Sequence, residues 1–234
     1  KVVGFSNEID IKELVVLCNK KRIPLIMDLG SGSIADFSKY DLPFESTIEE
    51  YIKIGVSVVS FSGDKLIGGP QAGIICGKKQ LIDKIKMNPL YRAFRCDKIR
   101  IAMLESILKT YIQPNNIQKD NLTINLFTRD LKSIYNQAKK VFNSINPSIH
   151  KNYKILLMDT LVEAGSGSLP IKQIKSYAIK IQSQKKIDAL AVQFRNAEIP
   201  VIGYINSNSF FIDFRSIPSN QNKSLIKIIN NTLV

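Results

Sequence analysis

The apolar run Val56 to Ser60 leads directly into Ser62, Gly63, Asp64 and Lys65, followed by the small-residue turn Gly68, Gly69, Pro70. A run this short and valine-rich reads as a strand, and strand, helix, strand with such strands is the pattern of a parallel sheet covered by helices. A second such run, Leu25 to Met27, lies upstream. Between the two, Thr47 to Ile54 reads as a helix, with Thr47 and Glu50 spaced for a capping box and Gly55 to end it. Strand, helix, strand predicts an α/β fold. Each strand delivers an ionisable residue at its C-terminal edge, Asp28 from the first and Lys65 from the second, and ligands over such sheets gather at that edge.

Other elements fall around this unit. Ile11, Leu14, Val15 and Cys18 predict a helix over Glu8 to Lys20, and Lys20, Lys21 and Arg22 suit its negative end. A short strand (Ile74 to Cys76), a helix (Lys79 to Met87) and a long helix (Asp97 to Ile112) follow. Pro114, Asn115 and Asn116 break the pattern, which places a domain boundary between 1–115 and 116–234. Downstream the expectation is a second long helix over Asn121 to Ile145, then strands Ile155 to Met158 and Tyr177 to Ile181, with the loop Gly165 to Pro170 between them. A helix (Lys186 to Asn196), two strands joined by a turn at Asn206 to Asn208, and a helix (Lys223 to Thr232) complete an antiparallel sheet with helices on one side.

Composition narrows the function classes. With 33 basic and 20 acidic residues, net charge is +13, which favours a polyanionic partner such as RNA. A lysine-, asparagine- and isoleucine-rich composition accounts for the excess equally well, and no basic run reads as a single-strand platform interleaved with aromatics. Three scattered cysteines and one histidine, His150, give no zinc-ligand spacing. The thiols are expected to be reduced, with Cys96 set apart by its neighbour Arg95. No run reaches the roughly 18 to 20 apolar residues of a membrane span, and the first residues lack a signal peptide's apolar core, so the expected compartment is the cytoplasm.

Taken residue by residue, the candidates have two readings each. Lys65 is either a surface lysine or an amine desolvated at a strand end and available to attack a carbonyl. Asp28 is a turn acid ahead of Gly30, Ser31, Gly32 and Ser33, or a carboxylate facing a ligand. Asp64 either steers the neighbouring amine or is a solvated turn acid. Arg92 and Arg95, three apart, share a face if their segment is helical and then form a two-armed clamp for a tetrahedral oxyanion; otherwise they are a basic helix end.

Several separated motifs tip these choices. GDKLIGGPQAG (Gly63 to Gly73), DLGSGS (Asp28 to Ser33), PLYRAFRCDK (Pro89 to Lys98), GSGSLP (Gly165 to Pro170) and IPVIGYINSNSFFIDFR (Ile199 to Arg215) together resemble the bacterial selenocysteine synthase family, the seryl-tRNA selenium transferases, across nearly the whole chain. The resemblance implies the C-terminal part of an aminotransferase-like (fold type I) large domain plus an α+β small domain. It implies pyridoxal phosphate (PLP) carried by Lys65, with Asp28 paired to the pyridine nitrogen and Asp64 and Ser62 beside the cofactor. It also implies Arg92, Arg95 and Lys98 as contacts for the substrate selenophosphate. The implied reaction converts seryl-tRNA(Sec) to selenocysteinyl-tRNA(Sec) through an aminoacrylyl-tRNA, in a homo-oligomer, without a metal. The chain starts with Lys1 and places 64 residues before Lys65, so it reads as the C-terminal part of a longer protein. The alternatives are another PLP-dependent lyase or transferase acting on a small amino acid, and a truncated noncatalytic module that dimerises or binds tRNA. One departure is Tyr204, where the family is expected to carry arginine. GSGSLP is placed near the site, Arg215 is either a substrate contact or the partner of an acid, and His150 is structural.

Overall fold

A computed structural model describes residues 9–40, 42, 46–163, 173–183 and 186–233. The chain forms two compact units, one ending at Thr128 and the other built from Arg129–Val162 and the residues from Gln173 onward.

In the first unit, helix α1 (Ile11–Lys21) is opened by the Asp10 side chain, which accepts from the Lys12 amide. Strand β1 (Ile26–Asp28), helix α2 (Ile48–Ile54) and strand β2 (Val58–Ser62) follow. The capping box on α2 is complete. Thr47 Oγ accepts from the Glu50 amide, the Glu50 carboxylate accepts from the Thr47 amide at 2.8 Å, and Gly55 closes the helix at φ 116°. β1 and β2 pair in parallel, with Asp28 directly opposite Ser60. Strand β3 (Gly73–Gly77) returns antiparallel to β2, so the sheet is mixed, in the order β1-β2-β3. The reason is local: residues 63–72 form a turn, too short for the crossover a parallel neighbour needs.

Val15, Ile48, Val56, Val59, Phe61 and Ile67 are buried between this sheet and its helices. Full burial of each such side chain contributes about 1.5–3 kcal/mol.

Helices α3 (Lys79–Met87), α4 (Pro89–Phe94), α5 (Lys98–Ile112), α6 (Ile117–Asp120) and α7 (Leu122–Phe127) complete the first unit. The two compact units thus divide later than the expected boundary after residue 115. Pro114–Asn116 forms a 3-10 turn, and the helices beyond it bond back to the first unit through Asn121.

The single helix expected over Asn121 to Ile145 is instead α7 and, in the second unit, α8 (Leu131–Asn143). Both starts are capped by side chains. Asn121 accepts from the Ile124 amide and Asp130 from the Ser133 amide, so each chelates an N-terminus that a continuous helix would not have.

The second unit is an antiparallel sheet in the order β4-β5-β7-β6, made of β4 (Tyr153–Val162), β5 (Ile174–Ser183), β6 (Tyr204–Asn206) and β7 (Ser209–Asp213). α8, α9 (Ile187–Arg195) and α10 (Asn222–Thr232) pack on one face, where Ile134, Leu190, Ile229, Ile179, Phe210 and Ile212 meet. Ser207 and Asn208, both at positive φ, form the two-residue hairpin between β6 and β7. The GSGSLP motif lies outside the described residues.

Candidate active site

Lys65 sits on the bend that leaves β2, and the loop carrying it is tied down from several sides. The Gly63 amide donates to the Ala72 carbonyl and the Gly69 amide to the Gly63 carbonyl, both at 2.8 Å. The next two residues, Leu66 and Ile67, are buried. The Ile67 carbonyl accepts two bonds, from the Tyr111 hydroxyl at 2.9 Å and from Asn121 Nδ2 at 3.1 Å. Asn121 is 0% exposed, and burial pushes the Tyr111 hydroxyl far above the usual tyrosine range. Gly68, at φ 78°, lets the loop pass against Thr123, whose Oγ1 would stand 2.5 Å from an added Cβ. Neither Tyr111 nor Asn121 stood out in the sequence. The available signal was an asparagine opening an apolar helical pattern.

Asp28 closes β1 at the same sheet edge. Its Oδ1 accepts from Ser60 Oγ at 2.9 Å and from the Gly30 amide at 3.4 Å. The loop beyond is anchored to β2, since the Leu29 amide donates to the Ser60 carbonyl and the Ser62 amide to the Gly30 carbonyl, both at 2.9 Å. Ser31 and Ser33 are buried, and Ser33 Oγ donates to the Ala35 carbonyl at 2.6 Å. In DLGSGS the Ser33 hydroxyl therefore serves the loop itself.

Asp28, Ser62 and Lys65 line one open cleft of about 580 Å³. Tyr91 and Phe94 of α4 also line it, with Cys96 after them. Ser62 Oγ donates to the exposed carboxylate of Asp64 at 2.5 Å. Asp64 itself is not among the residues that line the cleft.

Arg92 and Arg95 are not a helical pair. α4 ends at Phe94, and Arg95 is its extended C-cap. The chain must straighten there because Asp97 starts α5, its carboxylate accepting from the Arg100 amide at 2.9 Å. Arg95 and Lys98 line a second cavity of about 740 Å³, which shares Tyr91, Phe94 and Cys96 with the first. Arg92 lines neither.

Within the second unit the remaining candidates contact residues of the same unit. Arg215 is buried, and its Nε donates to the Lys175 carbonyl at 3.0 Å. Tyr204 lies flat on Phe211, centroids 5.0 Å apart. His150 meets the Phe142 ring edge-on. Among the described residues no cluster of three or more His, Cys, Asp or Glu could hold a metal ion, and no helix is long and apolar enough to cross a membrane.

The ring end of PLP fits this donor set. An amine-bearing residue on a hydrogen-bonded turn and a carboxylate with one oxygen already fixed open onto one cleft, which two aromatic side chains also line.

Comparison with known proteins gives the family. The family model described as SelA, L-seryl-tRNA selenium transferase, matches residues 1–218. A relative from Alkaliphilus oremlandii, named L-seryl-tRNA(Sec) selenium transferase, is 38% identical over 234 residues, all of this chain and 50% of the relative. A protein of the same name from Escherichia coli O7:K1 is 40% identical over 224 residues, 94% of this chain and 48% of the relative. The chain thus spans about half the length of the curated relatives it matches. Among solved structures, that of D-glucosaminate-6-phosphate ammonia-lyase superposes with a TM-score of 0.61 at 17% identity, covering 100% of this chain and 56% of that one. The mixed α/β architecture is that of the aminotransferase-like fold type I. A match running from the first residue through the loop of Lys65 to Pro218 near the end of the second unit leaves one assignment: the chain belongs to the L-seryl-tRNA selenium transferase family.

Proposed function

We propose that this chain carries the cofactor-holding half of an L-seryl-tRNA(Sec) selenium transferase that uses PLP and selenophosphate. The observation that supports it most is the opening of Lys65 and Asp28, from the C-terminal edges of two parallel strands, onto one cleft.

Each residue has a role in this reading. Lys65 would hold the cofactor through its amine, and that amine would move the proton at the serine α-carbon. Asp28, with its Oδ1 held by Ser60 and the Gly30 amide, would supply the carboxylate that keeps a ring nitrogen protonated. Ser62 and Asp64 brace the turn from which Lys65 projects. Arg95 and Lys98 bind the tetrahedral anion of selenophosphate, and Arg92 adds charge from the last turn of α4.

Bound there, PLP supplies an electron sink for loss of the serine hydroxyl. In the net reaction the serine hydroxyl leaves as water, Cβ–Se replaces Cβ–O, and a water cleaves the Se–P bond to release phosphate. The proposal includes a cytoplasmic homo-oligomer.

The test combines two measurements. PLP is added, the product is reduced with borohydride, and the modified peptide is mapped; β-replacement is then assayed with seryl-tRNA(Sec) and selenophosphate. Label on Lys65 with selenium incorporated supports the proposal. Label on Lys65 without turnover of seryl-tRNA(Sec) points to another PLP-dependent lyase or transferase, and a folded chain that binds tRNA but takes no label points to a noncatalytic module.

A further inference from the structure

The turn that carries Lys65 closes on itself, the Gly68 amide donating to the Lys65 carbonyl at 3.0 Å. The carbonyl of that same peptide group, Ile67's, accepts from Tyr111 Oη at 2.9 Å and from Asn121 Nδ2 at 3.1 Å. A trans peptide is planar, so its N–H and C=O cannot turn independently. The Ile67–Gly68 peptide is therefore fixed at both ends, and one of its partners is the backbone of Lys65. Rotating it would break all three bonds and strand a carbonyl belonging to a residue that is 0% exposed.

Neither donor lines the cleft, and each is itself held. Asn121 Oδ1 accepts from the Ile124 amide at the start of α7, which orients Nδ2 toward Ile67. Tyr111 comes from the last turn of α5, and burial raises its hydroxyl, so it remains a donor through the neutral range. A lysine side chain is a flexible four-carbon stem, and its amine meets one point in a cleft reproducibly only when the backbone beneath it is fixed. We infer that Tyr111 and Asn121 are positioning residues for the Lys65 amine: acting through the Ile67–Gly68 peptide, they set the direction in which it meets an aldehyde in the cleft. The amine adds to the aldehyde carbon and water leaves as the C=N bond forms. The inference rests on the proposed function, in which the aldehyde is that of PLP. It adds two residues, 44 and 54 positions from the carbonyl they hold, that control how fast the amine reacts.

The test follows label trapped on Lys65 by borohydride, which reduces that C=N bond, as a function of time and PLP concentration on the full chain. Tyr111→Phe keeps the ring and removes the hydroxyl. Asn121→Ser keeps an acceptor able to cap α7 but is too short to reach Ile67. In both, the limiting rate at saturating PLP should fall about tenfold, while the half-saturating PLP concentration changes less than about threefold. Thr47→Ala, which weakens the same unit away from this loop, should leave both values unchanged. Unchanged limiting rates in both variants, a rise in half-saturation alone, or an equal fall in Thr47→Ala overturns the inference. Competitive acetylation with a trace of acetic anhydride, read by peptide mapping, reports on the same amine without PLP. Lys65, half-buried, should acetylate more slowly than exposed Lys79 in the wild type and approach its rate in Tyr111→Phe and Asn121→Ser. An acetylation shift in a chain that takes no PLP label fails the cofactor reading alone. Label on Lys65 with rates unchanged in both variants fails the positioning alone.

Discussion

Ser60 Oγ stands 2.9 Å from Asp28 Oδ1, across the parallel pair in which the two residues are direct partners. Strand register thus sets the orientation of a carboxylate at the sheet edge. Oδ1 is occupied by Ser60 and the Gly30 amide, which leaves Oδ2 for a cation.

Ser60→Ala is therefore expected to weaken PLP binding about tenfold. A hydrogen bond to a charged group is worth about 1.5–3 kcal/mol, and the Gly30 amide retains part of the orientation. Asp28→Asn removes the charge itself and should be the more severe change. Titration of PLP by absorbance on both variants checks the order.

The support beneath Lys65 makes a stability prediction. Asn121→Ala leaves the buried Ile67 carbonyl with one donor and the Ile124 amide without its cap, so a loss of about 1–3 kcal/mol is expected in urea unfolding. Thr47→Ala, which breaks the capping box on a helix away from the Lys65 loop, should cost about 1 kcal/mol and leave PLP binding alone.

Tyr111 gives the stability a pH dependence. Burial raises its hydroxyl in the folded chain above the value of about 10 in the unfolded one, so the folded state binds that proton more tightly. The associated stability is fully present below about pH 10 and is lost as pH rises above it. Tyr111→Phe should lose the bond to Ile67, about 1 kcal/mol at neutral pH, and flatten the decline above pH 10. Thermal melts of both proteins from pH 7 to 11 measure this.

Cys76 should react slowly with iodoacetamide near pH 8 and faster as pH rises, because burial raises its thiol pKa and keeps the thiolate scarce. Peptide-resolved alkylation follows it separately from Cys18 and Cys96.

What was legible in the sequence was local chemistry. The Thr47 and Glu50 pair, the amphipathic run Lys79–Met87 and the turn after Asn206 each encode an element within a few residues, and each formed where its pattern lay. Long-range features were not. The bond from Asn121 to Ile67 spans 54 residues and leaves no periodic trace. The break between α7 and α8 depends on two side-chain caps competing with a helical pattern that runs through them. The spacing of Arg92 and Arg95 suggested a shared helical face, but the Asp97 cap beyond them ends the helix first. At the candidate site, Asp28, Ser62 and Lys65 were visible as strand-end residues. Ser60, the aromatic lining and Arg95's separation from Arg92 required the register and the turns.

The most direct test of the account is borohydride reduction of the chain after PLP addition, followed by peptide mapping of the wild type, Lys65→Ala and Asp28→Asn. The expected result is a single labelled peptide containing Lys65, absent in Lys65→Ala and much reduced in Asp28→Asn. Label spread over other lysines, or unchanged in Lys65→Ala, would contradict the placement of the cofactor at this cleft.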